Sequence, residues 1–156
     1  MSTPNARHSV PVLIVEDNSM SRAALTWLLK ELGFDPVAVG DLASAREALA
    51  LATPRILILD LMLPDGFGTE LLAQVRREGR DIKVAVVTAV TDAIKLEEVT
   101  ALKVDAVFGK PMDIDDFADW LVKQLATFSL DASPGSMRRQ EISSSKRLCK
   151  SLEVAR

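Results

Sequence analysis

The residues with the clearest chemical potential are acidic groups that directly follow short apolar runs. Glu16 and Asp17 follow one such run, and Asp60 follows another, which has four apolar residues in a row. Magnesium prefers oxygen ligands and typically uses one or two carboxylates, because it keeps several of its waters. A set without histidine or cysteine disfavours softer metals. These residue types predict a Mg²⁺ site, with Asp17 and Asp60 as direct ligands and Glu16 acting through water.

The same residues are suited to phosphoryl transfer. A carboxylate can attack phosphorus and form an aspartyl phosphate, and the reaction depends mainly on positioning and charge neutralisation. Thr88 and Lys110 stand at the ends of two further apolar runs. A hydroxyl and an ammonium group at these positions would donate hydrogen bonds to the phosphoryl oxygens and balance their charge.

These side chains can meet only if the segments that carry them form one sheet. The apolar runs predict five strands, at residues 10–15, 36–39, 56–59, 84–87 and 106–108. The third and fourth runs are apolar without alternation, which is typical of parallel strands covered on both faces by helices. Segments with helical spacing lie between the runs, and those after the second, third and fourth are predicted at residues 42–51, 69–77 and 92–102.

Strict alternation of strands and helices indicates an α/β fold with a single doubly wound five-stranded parallel sheet and helices on both faces. The flavodoxin-like strand order 2-1-3-4-5 is the leading candidate. In that order strands one and three are neighbours, so Asp17 should lie beside Asp60. The second strand ends at Val39 and Gly40, which contribute nothing polar. Ligands bind at the carboxyl ends of such strands, so we expect the site there.

The first and last helices have recognisable ends and apolar stripes. Asn18 or Ser19 can cap the first helix, and Gly33 can end it. Its predicted buried stripe consists of Met20, Ala24, Trp27, Leu28 and Leu32. Asp113 is predicted to open the last helix, whose buried positions are Phe117, Leu121, Leu125 and Phe128.

Length and composition favour one domain with two polar extensions. We predict a polar leader at residues 1–9, a domain at residues 10–128, and a serine-rich basic tail at residues 129–156 that is disordered or forms a short helix. Residues 1–128 carry 13 Lys/Arg against 19 Asp/Glu, whereas the tail carries 6 against 3. The six basic residues of the tail are too few to indicate nucleic-acid binding.

Cysteine content and hydropathy bear on location. Cys149 is the only cysteine, which excludes an intrachain disulfide and fits a reducing compartment. No apolar run approaches the roughly 20 residues that span a bilayer. We therefore expect a cytoplasmic protein without a membrane partner.

Four segments, in order and at suitable intervals, resemble the signature segments of response-regulator receiver domains. They are residues 12–18 (VLIVEDN), 58–66 (ILDLMLPDG), 86–89 (VVTA) and 108–111 (FGKP). The resemblance extends from about Pro11 to Phe128. It implies a two-component phosphorelay protein, a signalling switch that catalyses only its own phosphorylation and dephosphorylation.

The resemblance also implies a role for each site residue. Asp60 would be the phosphoacceptor, and Glu16 and Asp17 the acidic pair of the Mg²⁺ site. The backbone carbonyl of Met62 would be a further metal ligand. Thr88 and Lys110 would contact the phosphoryl group. In such families the peptide between the lysine and the following proline is often cis, here Lys110-Pro111.

The partners implied are a histidine kinase or a histidine phosphotransfer protein, a downstream protein target, and a second copy of the chain in a homodimer. Two other interpretations stay open. One is a receiver-like interaction module that acts without phosphorylation, and the other is the receiver fragment of a longer regulator.

Overall fold

The computed structural model describes the backbone of residues 9–132 and the side chains as far as Phe128. In chain order the elements are β1 (Val10–Val15), α1 (Ser19–Glu31), β2 (Phe34–Val39), α2 (Leu42–Leu51), β3 (Ile56–Leu59), β4 (Met62–Leu63), β5 (Gly66–Phe67), α3 (Gly68–Arg77), β6 (Lys83–Thr88), α4 (Ala93–Ala101), β7 (Ala106–Gly109) and α5 (Ile114–Ala132). Among the residues described, no helix combines the length and the apolar character that crossing a bilayer requires.

Five of the strands form one parallel sheet in the order β2-β1-β3-β6-β7. The short strands β4 and β5 form a separate antiparallel hairpin. With the hairpin left out, the order is 2-1-3-4-5, which confirms the predicted flavodoxin-like topology. The hairpin was not predicted, because two-residue strands are too short to show a hydrophobic period.

The strand register aligns the carboxyl ends of the central strands. Val15, the last residue of β1, pairs with Val39 of β2 and with Leu59 of β3. The ladder continues one residue further, because the Glu16 N–H donates to the Val39 carbonyl at 3.0 Å and the Asp60 N–H donates to the Val15 carbonyl at 2.9 Å. The residues that directly follow β1 and β3 are therefore neighbours.

Each face of the sheet has its own apolar layer. On one face, α2, α3 and α4 pack against the strands in a cluster that includes Leu13, Val15, Leu57, Leu59, Val84 and Val86. Successive strand residues point to opposite faces, so the buried Val12 and Ile14 belong to the other face, and α1 contacts β1 and β2 there. Strands buried on both faces explain why the third and fourth apolar runs do not alternate.

The stripe predicted for α1 was wrong at Met20 and Ala24, and at the Trp27/Leu28 position only Leu28 is buried. Met20 is 81% exposed, Trp27 is 52% exposed, and Ala24 is also exposed. The buried residues of this segment are Leu25, Leu28, Leu29 and Leu32. Leu28 and Leu32 belong to both stripes, so the local sequence allowed two rotations of the helix. Contact with β1 and β2 selects the rotation that buries four leucines.

The cap predicted for α1 is present at Asn18, and α2 and α4 begin with caps of the same kind. The side chains of Asn18, Asp41 and Asp92 accept hydrogen bonds from the backbone N–H groups of the first turns of α1, α2 and α4. These bonds satisfy donors that have no partner within the helix.

The last described segment, from Met112, forms a compact unit of its own. Asp113 opens α5 as predicted, since its carboxylate accepts from the N–H groups of Asp115 and Asp116. Of the four predicted buried residues of α5, only Leu125 is partly exposed. The helix continues to Ala132, four residues beyond the predicted domain boundary. Residues 1–8 and 133–156, which hold nearly all of the predicted leader and most of the predicted tail, lie outside the described residues.

Candidate functional site

The ends of four parallel strands carry the polar residues identified in the sequence. Glu16 follows β1, Asp60 follows β3, Thr88 is the last residue of β6, and Lys110 follows β7. Glu16, Asp60 and Thr88 are the buried polar or charged residues among those described, at 2%, 5% and 2% exposure. Burial of unpaired charges is strongly unfavourable. The buried polar side chains among the described residues therefore lie together at this edge of the sheet.

Lys110 joins the two buried carboxylates. Its Nζ donates to Glu16 Oε2 at 2.8 Å and to Asp60 Oδ2 at 2.9 Å. The remaining carboxylate oxygens accept from the backbone, Glu16 Oε1 from the Asn18 N–H and Asp60 Oδ1 from the Met62 N–H, each at 3.1 Å. One ammonium group thus neutralises part of the charge of two acids, and each acid is also held by its own turn.

Three carboxylates lie close enough to share a cation. One oxygen from each of Glu16, Asp17 and Asp60 falls within 4.8 Å of the others. The set contains only hard oxygen donors, and Asp17 is exposed while the other two are buried. One Lys110 ammonium balances only part of the negative charge, so the residues present fit a divalent cation such as Mg²⁺.

Burial raises the pKa of the Glu16 carboxyl above its ordinary value of 4.5. Loss of solvent disfavours the charged form. The hydrogen bonds from Lys110 and from the Asn18 N–H offset this effect only in part, and the negative charge of Asp60 adds to it. The acidic cluster therefore holds its negative charge at some cost to the folded state.

The pKa of Lys110 moves in the opposite sense to what burial alone would cause. Burial lowers it, but the hydrogen bonds to Glu16 and Asp60 and the negative charges of both acids outweigh that effect, so the pKa is raised above 10.5. The lysine accordingly stays positively charged at neutral pH.

Thr88 and Met62 complete the set of predicted site residues. Thr88 lies beside Lys110, whose N–H donates to the Thr88 carbonyl at 2.9 Å, and its Oγ1 accepts from the Val90 N–H at 3.1 Å. Met62 is the first residue of the hairpin and follows Asp60 and Leu61 directly; its side chain is 53% exposed. The Lys110-Pro111 peptide is cis, as the resemblance implied.

Three residues near the site were not predicted from the sequence. Arg22 of α1 donates to the main chain of Glu16 and Asp17. Asp65 of the hairpin turn accepts from the N–H groups of Leu42 and Ala43 at 2.8 and 3.0 Å. These bonds tie the hairpin to the start of α2 and lower the pKa of Asp65.

Gly68 is the third of these residues. A Cβ at this position would overlap the carbonyl oxygen of Asp60, so the start of α3 lies directly against the Asp60 main chain. The Pro-Asp-Gly-Phe-Gly run at residues 64–68 indicates a turn, and its two glycines could have drawn attention to Gly68. The contacts of Arg22 and Asp65 had no local signal.

Comparison with known proteins places the chain in a family. The family model "Response regulator receiver domain" matches residues 12–121. The chain belongs to this family. It is therefore the receiver domain of a two-component response regulator, and receivers act as signalling switches.

The receiver has identifiable relatives. "Phosphate regulon transcriptional regulatory protein PhoB" of Escherichia coli (strain K12) is 38% identical over 80 residues, which cover 50% of this chain and 35% of PhoB. "Regulator of RpoS" of the same organism is 32% identical over 101 residues, which cover 65% of this chain and 30% of that protein. The receiver chain thus spans about a third of the length of these curated relatives.

Solved structures agree with the fold. A DNA-binding response regulator of the LuxR family from Staphylococcus aureus is 30% identical and superposes with a TM-score of 0.67, covering 73% of this receiver chain and 97% of that chain. A response regulator receiver protein from Pseudomonas putida is 29% identical, with a TM-score of 0.70, and covers 74% of this chain and 97% of the other.

Proposed function

We propose that this receiver accepts a phosphoryl group on Asp60 from the phosphohistidine of a histidine kinase or a histidine phosphotransfer protein. One observation carries the proposal: Lys110 bridges two buried carboxylates, and one of them, Asp60, stands at the centre of the sheet edge. Buried ionisable groups paired with an opposite charge in this way are candidates for a functional site.

The residues have complementary tasks in this reaction. A carboxylate oxygen of Asp60 attacks phosphorus, the bond from phosphorus to the donor's imidazole nitrogen breaks, and the imidazole leaves with that electron pair. Lys110 can move one of its hydrogen bonds from Asp60 Oδ2 to a phosphoryl oxygen. The Thr88 hydroxyl donates to a second oxygen, so the developing charge meets donors that are already in place.

The metal proposed for this site is Mg²⁺. Asp17, Asp60 and the Met62 carbonyl would hold it directly, and Glu16 would hold it through water. When bound, Mg²⁺ neutralises the charge on the phosphoryl oxygens and on the acidic pair. A hard, mostly hydrated cation suits a set in which one carboxylate is exposed and two are buried.

The proposed output is a change in the surface that this receiver presents to a downstream protein target in the cytoplasm, with a homodimer as a further assembly. PhoB is named as a transcriptional regulatory protein, and the LuxR-family relative as a DNA-binding response regulator. Because this chain spans only about a third of PhoB, a DNA-binding role would reside outside the receiver itself.

Intact mass after incubation with a small phosphodonor and Mg²⁺ tests the proposal. We expect the wild-type protein to gain one phosphoryl group, and we expect no gain when the metal is chelated. Asp60→Asn removes the nucleophile while keeping its size, so its mass should not change. Asp65→Asn is the matched control, because that carboxylate caps α2 and lies outside the cluster. Equal labelling of Asp60→Asn would place the phosphoacceptor elsewhere.

A further inference from the structure

The turn between β1 and α1, which carries the acidic pair, is held by a side chain from the helix that follows it. Arg22 Nη1 donates to the carbonyl oxygen of Glu16 at 2.9 Å and to that of Asp17 at 3.3 Å. The Arg22 N–H also donates to the Asn18 carbonyl, as an ordinary helical bond, at 2.9 Å. One residue thus ties the acidic turn to α1 through both its backbone and its side chain.

The two acids depend on this turn to different degrees. Glu16 is held independently by its bonds to Lys110 and to the Asn18 N–H. The exposed Asp17 carboxylate has no hydrogen-bond or ion-pair partner within the part of the chain that the structure describes. The position of Asp17 therefore follows from the path of its backbone, and the Arg22 guanidinium binds that backbone directly.

The end of β2 leaves room for the guanidinium. A Cβ at Gly40 would lie 3.0 Å from Arg22 Nη1 and 3.9 Å from the Glu16 carbonyl oxygen. Gly40 is not among the glycines with positive φ, so its backbone conformation does not require glycine. The absence of a side chain at Gly40 instead leaves space for the Arg22 guanidinium.

We propose that Arg22 is a positioning residue for the divalent-cation site, acting through the carbonyls of Glu16 and Asp17. This inference rests on the proposed Mg²⁺ site. The charge and the hydrogen bonds of Arg22 have opposite effects on a cation. As a positive charge it repels Mg²⁺, so removing it would strengthen binding; as a brace for Asp17 it supports the site, so removing it weakens binding.

Titration calorimetry with Mg²⁺ alone, on the unphosphorylated protein, shows whether removing Arg22 weakens or strengthens Mg²⁺ binding. We expect Arg22→Gln to weaken Mg²⁺ binding about tenfold, at the lower end of what groups that orient metal ligands contribute. Arg22→Lys keeps the charge but loses the planar guanidinium, and we expect it to weaken binding as well. Arg46→Gln, which removes an exposed arginine on α2, should leave the affinity unchanged.

Urea unfolding with the metal chelated separates positioning from general stability. A merely structural role would lower the unfolding midpoint of Arg22→Gln and leave the Mg²⁺ affinity of the folded protein unaltered. If Arg22→Gln does not fold, Gly40→Ala tests the same contact, because it keeps Arg22 and crowds its guanidinium, which must shift by a few tenths of an ångström. We expect Gly40→Ala to weaken Mg²⁺ binding too, by a smaller factor.

Each outcome decides the inference. Unchanged or tighter Mg²⁺ binding in Arg22→Gln overturns the positioning role, and so does wild-type affinity in Gly40→Ala when Arg22→Gln fails to fold. If the wild-type protein itself binds no Mg²⁺, the proposed metal site fails first and the role of Arg22 fails with it.

Discussion

At the residue scale, Glu16 shows how the site opposes stability. Its side chain is 2% exposed, and desolvation raises the pKa of its carboxyl although Lys110 donates to it. A raised pKa in the folded state means that ionisation of this group costs stability. This cost is what we expect of an acid whose charge serves the proposed metal site.

A pH series on Glu16→Gln measures this cost. The stability that neutral Glu16 contributes is complete below its ordinary pKa of 4.5 and is lost as pH rises through the raised folded pKa. With the metal chelated, we expect Glu16→Gln to exceed the wild type in free energy of unfolding near pH 8, where the wild-type carboxyl is ionised. The difference should shrink as the pH falls through the raised folded pKa towards the ordinary value of 4.5.

Urea unfolding monitored by circular dichroism gives both free energies. Glu47→Gln, at an exposed position on α2, is the control and should show no comparable gain. A Glu16→Gln protein that is less stable than the wild type at every pH would mean that the Lys110 ion pair outweighs desolvation.

Met62 bears on the lifetime of the phosphorylated protein. It stands two residues after Asp60, and Val90 stands two residues after Thr88; neither side chain can orient an attacking water. We therefore expect slow decay of the aspartyl phosphate, and we expect the double variant Met62→Asn/Val90→Gln to accelerate it on the order of tenfold, because orientation of water is restored. Phosphate release over time measures the rate. Met62→Leu is the apolar control, and equal decay in all three proteins would contradict this account.

At the element scale, the start of α3 lies against the loop that carries Asp60. The Gly68 N–H donates to the Leu61 carbonyl at 2.8 Å, and a Cβ at Gly68 would meet the Asp60 carbonyl oxygen. On the other side, Asp65 binds the first N–H groups of α2. Asp60 is thus followed by a hairpin that both neighbouring helices hold in place.

Gly68→Ala tests how closely α3 must approach. We expect it to lower the free energy of unfolding by about 2 kcal/mol, because the new methyl group forces the backbone apart. It should also slow labelling of Asp60, since that residue would shift. Gly109→Ala is the matched control, as its Cβ would meet nothing within 4 Å and its φ is not positive. We expect it to stay within about 0.5 kcal/mol of the wild type in urea unfolding.

Full stability in Gly68→Ala would show that the helix can move away without cost. Slow labelling together with full stability would instead locate the effect in the position of Asp60 alone.

At the scale of the whole molecule, the question is how a change at Asp60 reaches the surface. Receivers generally use an aromatic residue three places before the lysine, and here that place holds Val107, which is 44% exposed. Phe108 is one place later and pairs with Val87, whereas Val107 pairs with Val86. Because adjacent strand residues point to opposite faces, Phe108 cannot take over the position of Val107.

We therefore expect the switch to act through the loop between β6 and α4. The Val90 N–H donates to Thr88 Oγ1, and Asp92 caps α4. When the Thr88 hydroxyl turns towards a phosphoryl group, this bond must adjust, and the start of α4 with it. Lys95 of that helix lies 3.6 Å from the centre of the Phe67 ring in the hairpin, so the two elements on either side of the site are already in contact.

Amide chemical shifts with and without a phosphoryl mimic measure the response. We expect the largest changes at residues 88–92 and in α4, and we expect Thr88→Ala to reduce them strongly, because a ligand shifts a conformation only by its differential affinity. Changes centred on Phe108 with none at residues 88–92 would place the switch elsewhere.

The sequence by itself determined which residues gather at the site. Each acidic or polar group stands within two residues of the end of an apolar run. Once the runs are parallel strands, Glu16, Asp60, Thr88 and Lys110 must therefore share one edge. The bounds of β1, β3 and α2 and the caps at Asn18 and Asp113 also follow from local patterns. Those features depend on neighbours within a few positions along the chain.

Only the tertiary structure decided how the site is held. The rotation of α1, the reach of Arg22 to the acidic turn and the contact of Asp65 with α2 all depend on how elements dock. The Asp65 carboxylate meets an N–H group 23 residues away, and no local pattern encodes such a pair. Local sequence specifies what each element is, whereas the packing of side chains between elements specifies which of several compatible contacts is made.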